Sequence, residues 1–78
     1  MRVVLYSRPG CHLCELAGGV LLAEQADHPF ELEEVDVQDD EDLEREYGTR
    51  IPVVEIDGKE WFEYEVDPDE LRRIVRSA

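Results

Sequence analysis

The two cysteines of this chain lie three positions apart, in the stretch YSRPGCHLCELAGGVLL that runs from Tyr6 to Leu22. Two thiols at this spacing can exchange disulfides, because one sulfur attacks a substrate and the second then releases it. They can also serve as two ligands of a metal ion, or simply be small buried side chains. A Cys11–Cys14 bridge closes too short a loop to stabilise the fold much, so the spacing favours redox chemistry or metal binding.

The number of side chains that could bind a metal ion together with the cysteines argues against a metal site. A closed zinc site takes four ligands, and the only histidines available to join the cysteines are His12 and His28. His12 lies between the two cysteines and His28 lies beyond the predicted helix. A metal or iron–sulfur module completed by carboxylates remains the alternative hypothesis, and we expect neither a metal nor an organic cofactor.

The segments around the cysteines predict how they are placed. Val3 to Tyr6 is a continuous apolar run closed by Ser-Arg-Pro-Gly, which is typical of a central strand buried on both faces. The apolar residues that follow recur at helical spacing and predict a helix whose buried stripe is Leu13, Leu16, Ala17, Val20 and Leu21. Cys11 therefore lies at or just before the first turn of that helix, and Cys14 lies one turn along.

This position gives the two sulfurs different roles. Unpaired N–H groups and the positive helix end favour the thiolate of Cys11, the predicted nucleophile, and Cys14 can resolve the mixed disulfide. The helix end contributes roughly 0.3 to 1 kcal/mol, which is less than one pKa unit at about 1.36 kcal/mol. We expect direct N–H donors, Arg8 and a protonated His12 to add to it, so that the pKa of Cys11 is lowered without being extreme.

The rest of the chain predicts three more strands and two more helices. Phe30 to Val37 is interpreted as a strand, and the acids Asp39 to Asp42 precede a short helix that ends near Gly48. Asp57-Gly58 predicts a two-residue hairpin in which Val54 faces Trp61, with Trp61, Phe62 and Tyr64 in the core or at its edge.

The last segment predicts a helix capped by Asp67, with proline in its first turn. The order is β-α-β-α-β-β-α, with a parallel first pair of strands and an antiparallel hairpin. These elements predict an α/β fold with a mixed four-stranded sheet and helices on both faces. We expect residues 1–78 to form a single domain and a monomer.

The charge excludes some partners. Twenty-one acidic and eight basic residues give a net charge of −13, which repels nucleic acid phosphates and anionic lipid. We interpret most of the acids as a solvated surface. We see neither a leader peptide nor an apolar run long enough to span a membrane, and we expect a cytoplasmic protein.

Two stretches resemble the glutaredoxin-like branch of the thioredoxin superfamily. VVLYSRPGCHLC is similar to that family's strand, loop and Cys-x-x-Cys helix, and TRIPVVEIDG is similar to its proline loop and hairpin. The resemblance implies a thioredoxin-like fold with Cys11 as the attacking thiol and Cys14 as the resolving thiol. It also implies a cis bond at Ile51–Pro52, where the sequence alone favours trans, and substrate pairing with the backbone of Ile51.

The chain departs from the family in two places. The middle pair His12-Leu13 is not the usual Pro-Tyr or Gly-Pro, so the reduction potential does not carry over. The glycine pair by which family members hold glutathione is absent after the fourth strand. The resemblance implies that the substrate is a disulfide-containing protein or a low-molecular-weight thiol. The electrons would come from a small thiol or from a flavoprotein similar to thioredoxin reductase.

Overall fold

A computed structural model describes residues 1–77, and its elements follow the predicted order. The strands are β1 (Arg2–Ser7), β2 (Glu31–Asp36), β3 (Val53–Ile56) and β4 (Lys59–Glu63). The helices are α1 (His12–Asp27), α2 (Glu41–Tyr47) and α3 (Pro68–Arg76), and a 3₁₀ turn (Val37–Asp39) precedes α2. Within residues 1–77, no helix has the length and apolar content that crossing a membrane requires.

The strands form one mixed sheet in the order β2-β1-β3-β4. β1 runs parallel to β2 and antiparallel to β3, and β3 and β4 form the antiparallel hairpin. The central position predicted for β1 is confirmed, but its burial on both faces is only half right. Val3 and Leu5 are buried, whereas Val4 and Tyr6 on the other face are half-buried. On that second face Val4 lies between two acids, Glu33 of β2 and Glu55 of β3, so the face is only partly apolar.

Helices lie on both faces, as predicted. α1 and α3 pack on the face of the sheet that carries Val3 and Leu5, and their shared core includes Ala17, Leu21 and Leu71. Leu21 and Leu71 are fully buried there. α2 covers the opposite face, where the Tyr47 ring stacks on the Tyr6 ring with centroids 3.9 Å apart.

The buried stripe of α1 differs from the predicted one. Leu13 and Leu16 are exposed, and the buried residues are Cys14, Ala17, Leu21 and Glu24. These four positions share one face at spacings of three and four. Ala17 and Leu21 belong to the predicted stripe as well, so the buried face is turned only partway from the prediction, toward Cys14 and Glu24. Glu24 can be buried because Arg72 and His28 bind both of its carboxylate oxygens.

The hairpin turn is confirmed, but its register is not the predicted one. Asp57 and Gly58 both have positive φ, of 51° and 85°, as a tight hairpin turn requires. A β-bulge then shifts the pairing between Val54 and Glu55, so that Val54 lies opposite Phe62 and not opposite Trp61. Phe62 packs against the core, whereas Trp61 and Tyr64 are exposed, so the assignment to the core or its edge is right for Phe62 and wrong for the other two.

Each of the two shorter helices begins directly after an aspartate that caps its N-terminus. The Asp40 carboxylate accepts from the N–H of Asp42 at 2.7 Å and caps α2. The Asp67 carboxylate accepts from the N–H groups of Asp69 and Glu70 at 2.9 and 3.3 Å and caps α3. The predicted capping role of Asp67 is therefore confirmed.

Candidate active site

The chain reverses direction between the end of β1 and the start of α1, and this turn positions the first cysteine. Gly10 has φ +76°, a left-handed conformation that glycine adopts without steric penalty. Cys11 follows in extended conformation as the N-cap residue, and the helix begins at His12. The predicted place of Cys11 at the helix start therefore agrees with the structure.

The two cysteines are joined by a disulfide, with their Cα atoms 5.2 Å apart. The N–H of Cys14 donates to the sulfur of Cys11 at 3.2 Å, so this sulfur occupies the place that a capping oxygen usually takes. Cys11 is half-buried, whereas Cys14 is only 4% exposed. A substrate can therefore reach the first sulfur more easily than the second.

The same N–H donor has a chemical consequence when the bridge is reduced. A hydrogen-bond donor aimed at a sulfur, together with the open N–H groups of a helix end, favours the ionised form of that sulfur. The 16-residue helix α1 also directs its positive dipole end at this position. Backbone groups thus surround Cys11 with partial positive charge that does not depend on any charged side chain.

The two predicted supporting side chains lie apart from each other. The Arg8 guanidinium donates to the Glu44 carboxylate and, at 2.9 Å, to the carbonyl of Gly48, so it joins the loop before Cys11 to the end of α2. His12 is largely exposed, and its Nδ1 lies 4.0 Å from the Glu15 carboxylate. The positive charge of Arg8 is therefore paired with the Glu44 carboxylate in this structure.

The proline loop lies at the same end of the sheet as the cysteines. The Ile51–Pro52 bond is cis, and Pro52 is buried. Val53 follows directly and pairs with Tyr6, near the carboxyl end of β1, so the antiparallel register brings the loop beside the turn that precedes Cys11. Ile51, beside it, is half-buried.

A third segment, which the sequence did not assign to the site, also reaches this end of the sheet. The N–H of Tyr64 donates to the Pro52 carbonyl at 2.8 Å, and the Tyr64 hydroxyl lies 3.4 Å from the carbonyl of Thr49. Tyr64 has φ +70°, a conformation that costs a non-glycine residue about 1 to 3 kcal/mol.

A polar network on the second face of the sheet joins β1, α2 and β3. The hydroxyls of Tyr6 and Tyr47 lie 3.1 and 2.9 Å from the two carboxylate oxygens of Glu55. Burial raises the pKa of both phenols, and the neighbouring carboxylate raises them further, so both stay protonated at neutral pH. Arg50 adds ion pairs to Glu60 and Glu63.

The described residues hold no group of three or more His, Cys, Asp or Glu side chains arranged to bind a metal ion. Disulfide exchange needs two sulfurs, and Cys11 and Cys14 supply them.

Known proteins resemble the chain along nearly its whole length. The Mycobacterium tuberculosis protein Rv0508 is 34% identical over an alignment 83 residues long. The alignment covers 99% of this chain and 86% of that protein. The structure of protein XcR50 from X. campestris is 34% identical in sequence. The match covers 97% of each chain, with a TM-score of 0.80.

More distant structures show the same fold. Thioredoxin 1 from Thermosipho africanus superposes with a TM-score of 0.71 over 99% of this chain and 92% of its own, at 13% identity. Residues 2–76 match the family model described as the glutaredoxin-like domain (DUF836). The chain therefore belongs to this glutaredoxin-like family.

Proposed function

We propose that this protein is a thiol–disulfide oxidoreductase that reduces disulfides with the Cys11–Cys14 pair. The observation that carries the proposal is the N–H of Cys14 aimed at the Cys11 sulfur at the start of a 16-residue helix. The two sulfurs form a disulfide in the structure. When that disulfide is reduced, this geometry favours the thiolate of Cys11, the more exposed of the two.

The reaction starts from the reduced pair and transfers two electrons. The Cys11 thiolate attacks one sulfur of the substrate disulfide, forms a mixed disulfide and releases the other substrate sulfur as a thiolate. Cys14 then loses its proton to solvent and attacks the Cys11 sulfur. This second step forms the Cys11–Cys14 bridge and releases the remaining substrate thiolate. The substrate disulfide is thereby reduced to a dithiol and the protein is oxidised.

The proline loop supplies the substrate contact in this proposal. The main chain of Ile51, held by the cis bond to Pro52, pairs with the residue that carries the attacked sulfur. Arg8 fixes the loop before Cys11 by its bonds to α2, and His12 adds positive charge beside the thiolate when it is protonated. The hydrogen bond from Tyr64 to the Pro52 carbonyl holds the loop in place.

The partners follow from this chemistry. The substrate is a disulfide-containing protein or a low-molecular-weight disulfide, and a small thiol or a flavoprotein reductase restores the dithiol. The only two cysteines of the chain both belong to the redox pair, which suits a reducing compartment such as the cytoplasm. We propose that the chain acts as a single-domain monomer.

A single-turnover measurement tests the proposal. The protein is reduced, freed of reductant and mixed with a small symmetrical disulfide whose thiolate is coloured. Wild type should release two equivalents of thiolate, Cys14→Ser one equivalent, and Cys11→Ser none. A wild type that releases no thiolate, or an unaffected Cys11→Ser variant, would refute the proposal. Zinc or iron that purifies with the protein in stoichiometric amount would favour the metal-binding alternative.

A further inference from the structure

A surface groove runs from the cysteine motif along the exposed side of α1. It consists of two adjoining hollows of about 200 and 400 Å³, which share Leu16 and Val20. The first hollow begins at Leu13, inside the Cys-x-x-Cys motif, and Tyr64 lies on its other side. The second continues past Gly19 toward Asp27. We call the two hollows together the α1 groove.

The floor of the α1 groove is apolar and open to solvent. Leu13 is 45% exposed, Leu16 55% and Tyr64 49%. They are three of the five large hydrophobic residues that residues 1–77 expose, and all three line the groove. Removing apolar surface from water is favourable, so an apolar side chain of a partner would bind here.

Gly19 keeps the groove open. A Cβ atom at this position would meet nothing within 4 Å, so neither packing nor backbone conformation requires glycine here. A glycine inside a helix nevertheless destabilises the helix relative to alanine. Because Gly19 has no side chain, the second hollow stays open at this position. Nothing in the fold requires a glycine here.

The rim of the groove carries unbalanced negative charge. Glu15, Asp27 and Glu65 are exposed acids along it. The basic residue in its lining, Arg72, lies with its Nε 3.3 Å from the Glu24 carboxylate, which is 5% exposed and also bound by His28. The whole chain adds a net charge of −13. A partner with positive charge beside its apolar group is therefore complementary to the groove.

We infer that the α1 groove docks a segment of a protein substrate that carries an apolar side chain flanked by Lys or Arg, close to the disulfide that Cys11 attacks. The inference rests on the proposed function and specifies its substrate class. It disfavours glutathione disulfide, which is anionic and carries no large apolar side chain. The electron balance is that of the two-step reaction above, with the docked segment supplying the attacked disulfide.

Two matched peptides test the preference. Both contain the same disulfide, and one carries Leu and Lys beside it where the other carries Ser and Glu. In single turnover with pre-reduced wild type, the Leu-Lys peptide should half-saturate the rate at a concentration at least about tenfold lower, which corresponds to about 1.4 kcal/mol. Added salt should narrow the difference, because it screens the charged rim. Equal half-saturation for the two peptides would overturn the inference.

Two variants at one position locate the docking. Gly19→Leu fills the groove, whereas Gly19→Ala removes the same glycine and adds little bulk. Gly19→Leu should raise the half-saturating concentration of the Leu-Lys peptide severalfold, with the maximal rate unchanged, and Gly19→Ala should not. An unchanged rate with the small coloured disulfide shows that the cysteines are intact, and an unchanged circular dichroism spectrum shows that the variant is folded. A Gly19→Leu variant that binds the Leu-Lys peptide like wild type contradicts the inference.

A charge variant gives an independent result that involves no packing. Glu15→Gln combined with Asp27→Asn should weaken the preference for the Leu-Lys peptide. Glu31→Gln combined with Asp39→Asn removes two exposed acids that do not line the groove and should leave the preference intact. Equal effects of the two changes would show that overall charge acts without the groove. If wild type reduces neither the peptides nor the small disulfide, the proposed function itself fails.

Discussion

The two adjacent glycines inside α1 should limit the stability of this protein. In Gly19→Ala the new methyl group meets nothing within 4 Å, so the gain is the helix propensity alone, about 0.8 to 1 kcal/mol. In Gly18→Ala the methyl group lies 3.8 Å from Cδ2 of Leu5, an ordinary contact, and the gain should be similar. For a domain of this size 1 kcal/mol raises Tm by about 4 to 8 °C.

Thermal unfolding followed by circular dichroism measures this gain. All variants are compared in the oxidised form, so that the disulfide contributes equally. Gly48→Ala is the matched control, because its methyl group would overlap the carbonyl oxygen and the side chain of Glu44 although Gly48 has an ordinary helical φ of −55°. It should lower Tm where the two α1 variants raise it. A Gly19→Ala protein that melts at or below wild type would refute the reasoning.

Two further changes test the ends and the interior of the helices. Asp67→Ala removes two capping hydrogen bonds from α3 and should lower the free energy of unfolding by about 1 kcal/mol in urea titrations; no loss would mean that the cap is not formed in solution. Burial raises the pKa of Glu24, but hydrogen bonds from Arg72 and His28 outweigh it and lower the pKa, so the charged form stabilises the fold at neutral pH. Glu24→Gln should therefore destabilise the protein at pH 7, and its difference from wild type should shrink as the pH falls below about 4.3, the ordinary value for Glu. A difference that grows toward acid would contradict this sign.

Local signals in the sequence predicted most of the fold correctly. Asp67-Pro68 began α3, Asp57-Gly58 formed the hairpin turn, and the apolar run after Met1 formed the central strand. Each of these signals acts over a few residues, through a side-chain cap, a positive φ or a short apolar run. Such signals are independent of the tertiary packing and can be recognised without it.

The errors came from features that the packing of several elements decides. The bulge that pairs Val54 with Phe62 changes the register by one residue, and no residue type in the hairpin marks it. The buried stripe of α1 includes Cys14 and Glu24, and the partner of Glu24 is Arg72 of α3, 48 residues along the chain. A period of three and four cannot by itself choose between two neighbouring stripes of one helix.

The candidate site was predictable only in part. The spacing of Cys11 and Cys14 and the Pro9-Gly10 turn predicted the start of the helix, which the structure confirms. The cis bond at Pro52 required the family resemblance, because most X-Pro bonds are trans. The contact of Tyr64 with the Pro52 loop could not be predicted, since it joins residues 12 positions apart through a strained backbone conformation.

The most direct measurement is the rate at which Cys11 reacts with iodoacetamide as a function of pH, in the Cys14→Ser variant. We expect the rate to reach half of its maximum at a pH below 8.5, the approximate pKa of a free cysteine. Cys14 in the Cys11→Ser variant is the control and should react more slowly, because it is buried. A half-maximal pH for Cys11 at or above that of a free cysteine would contradict the proposal that backbone N–H groups at the start of α1 stabilise its thiolate.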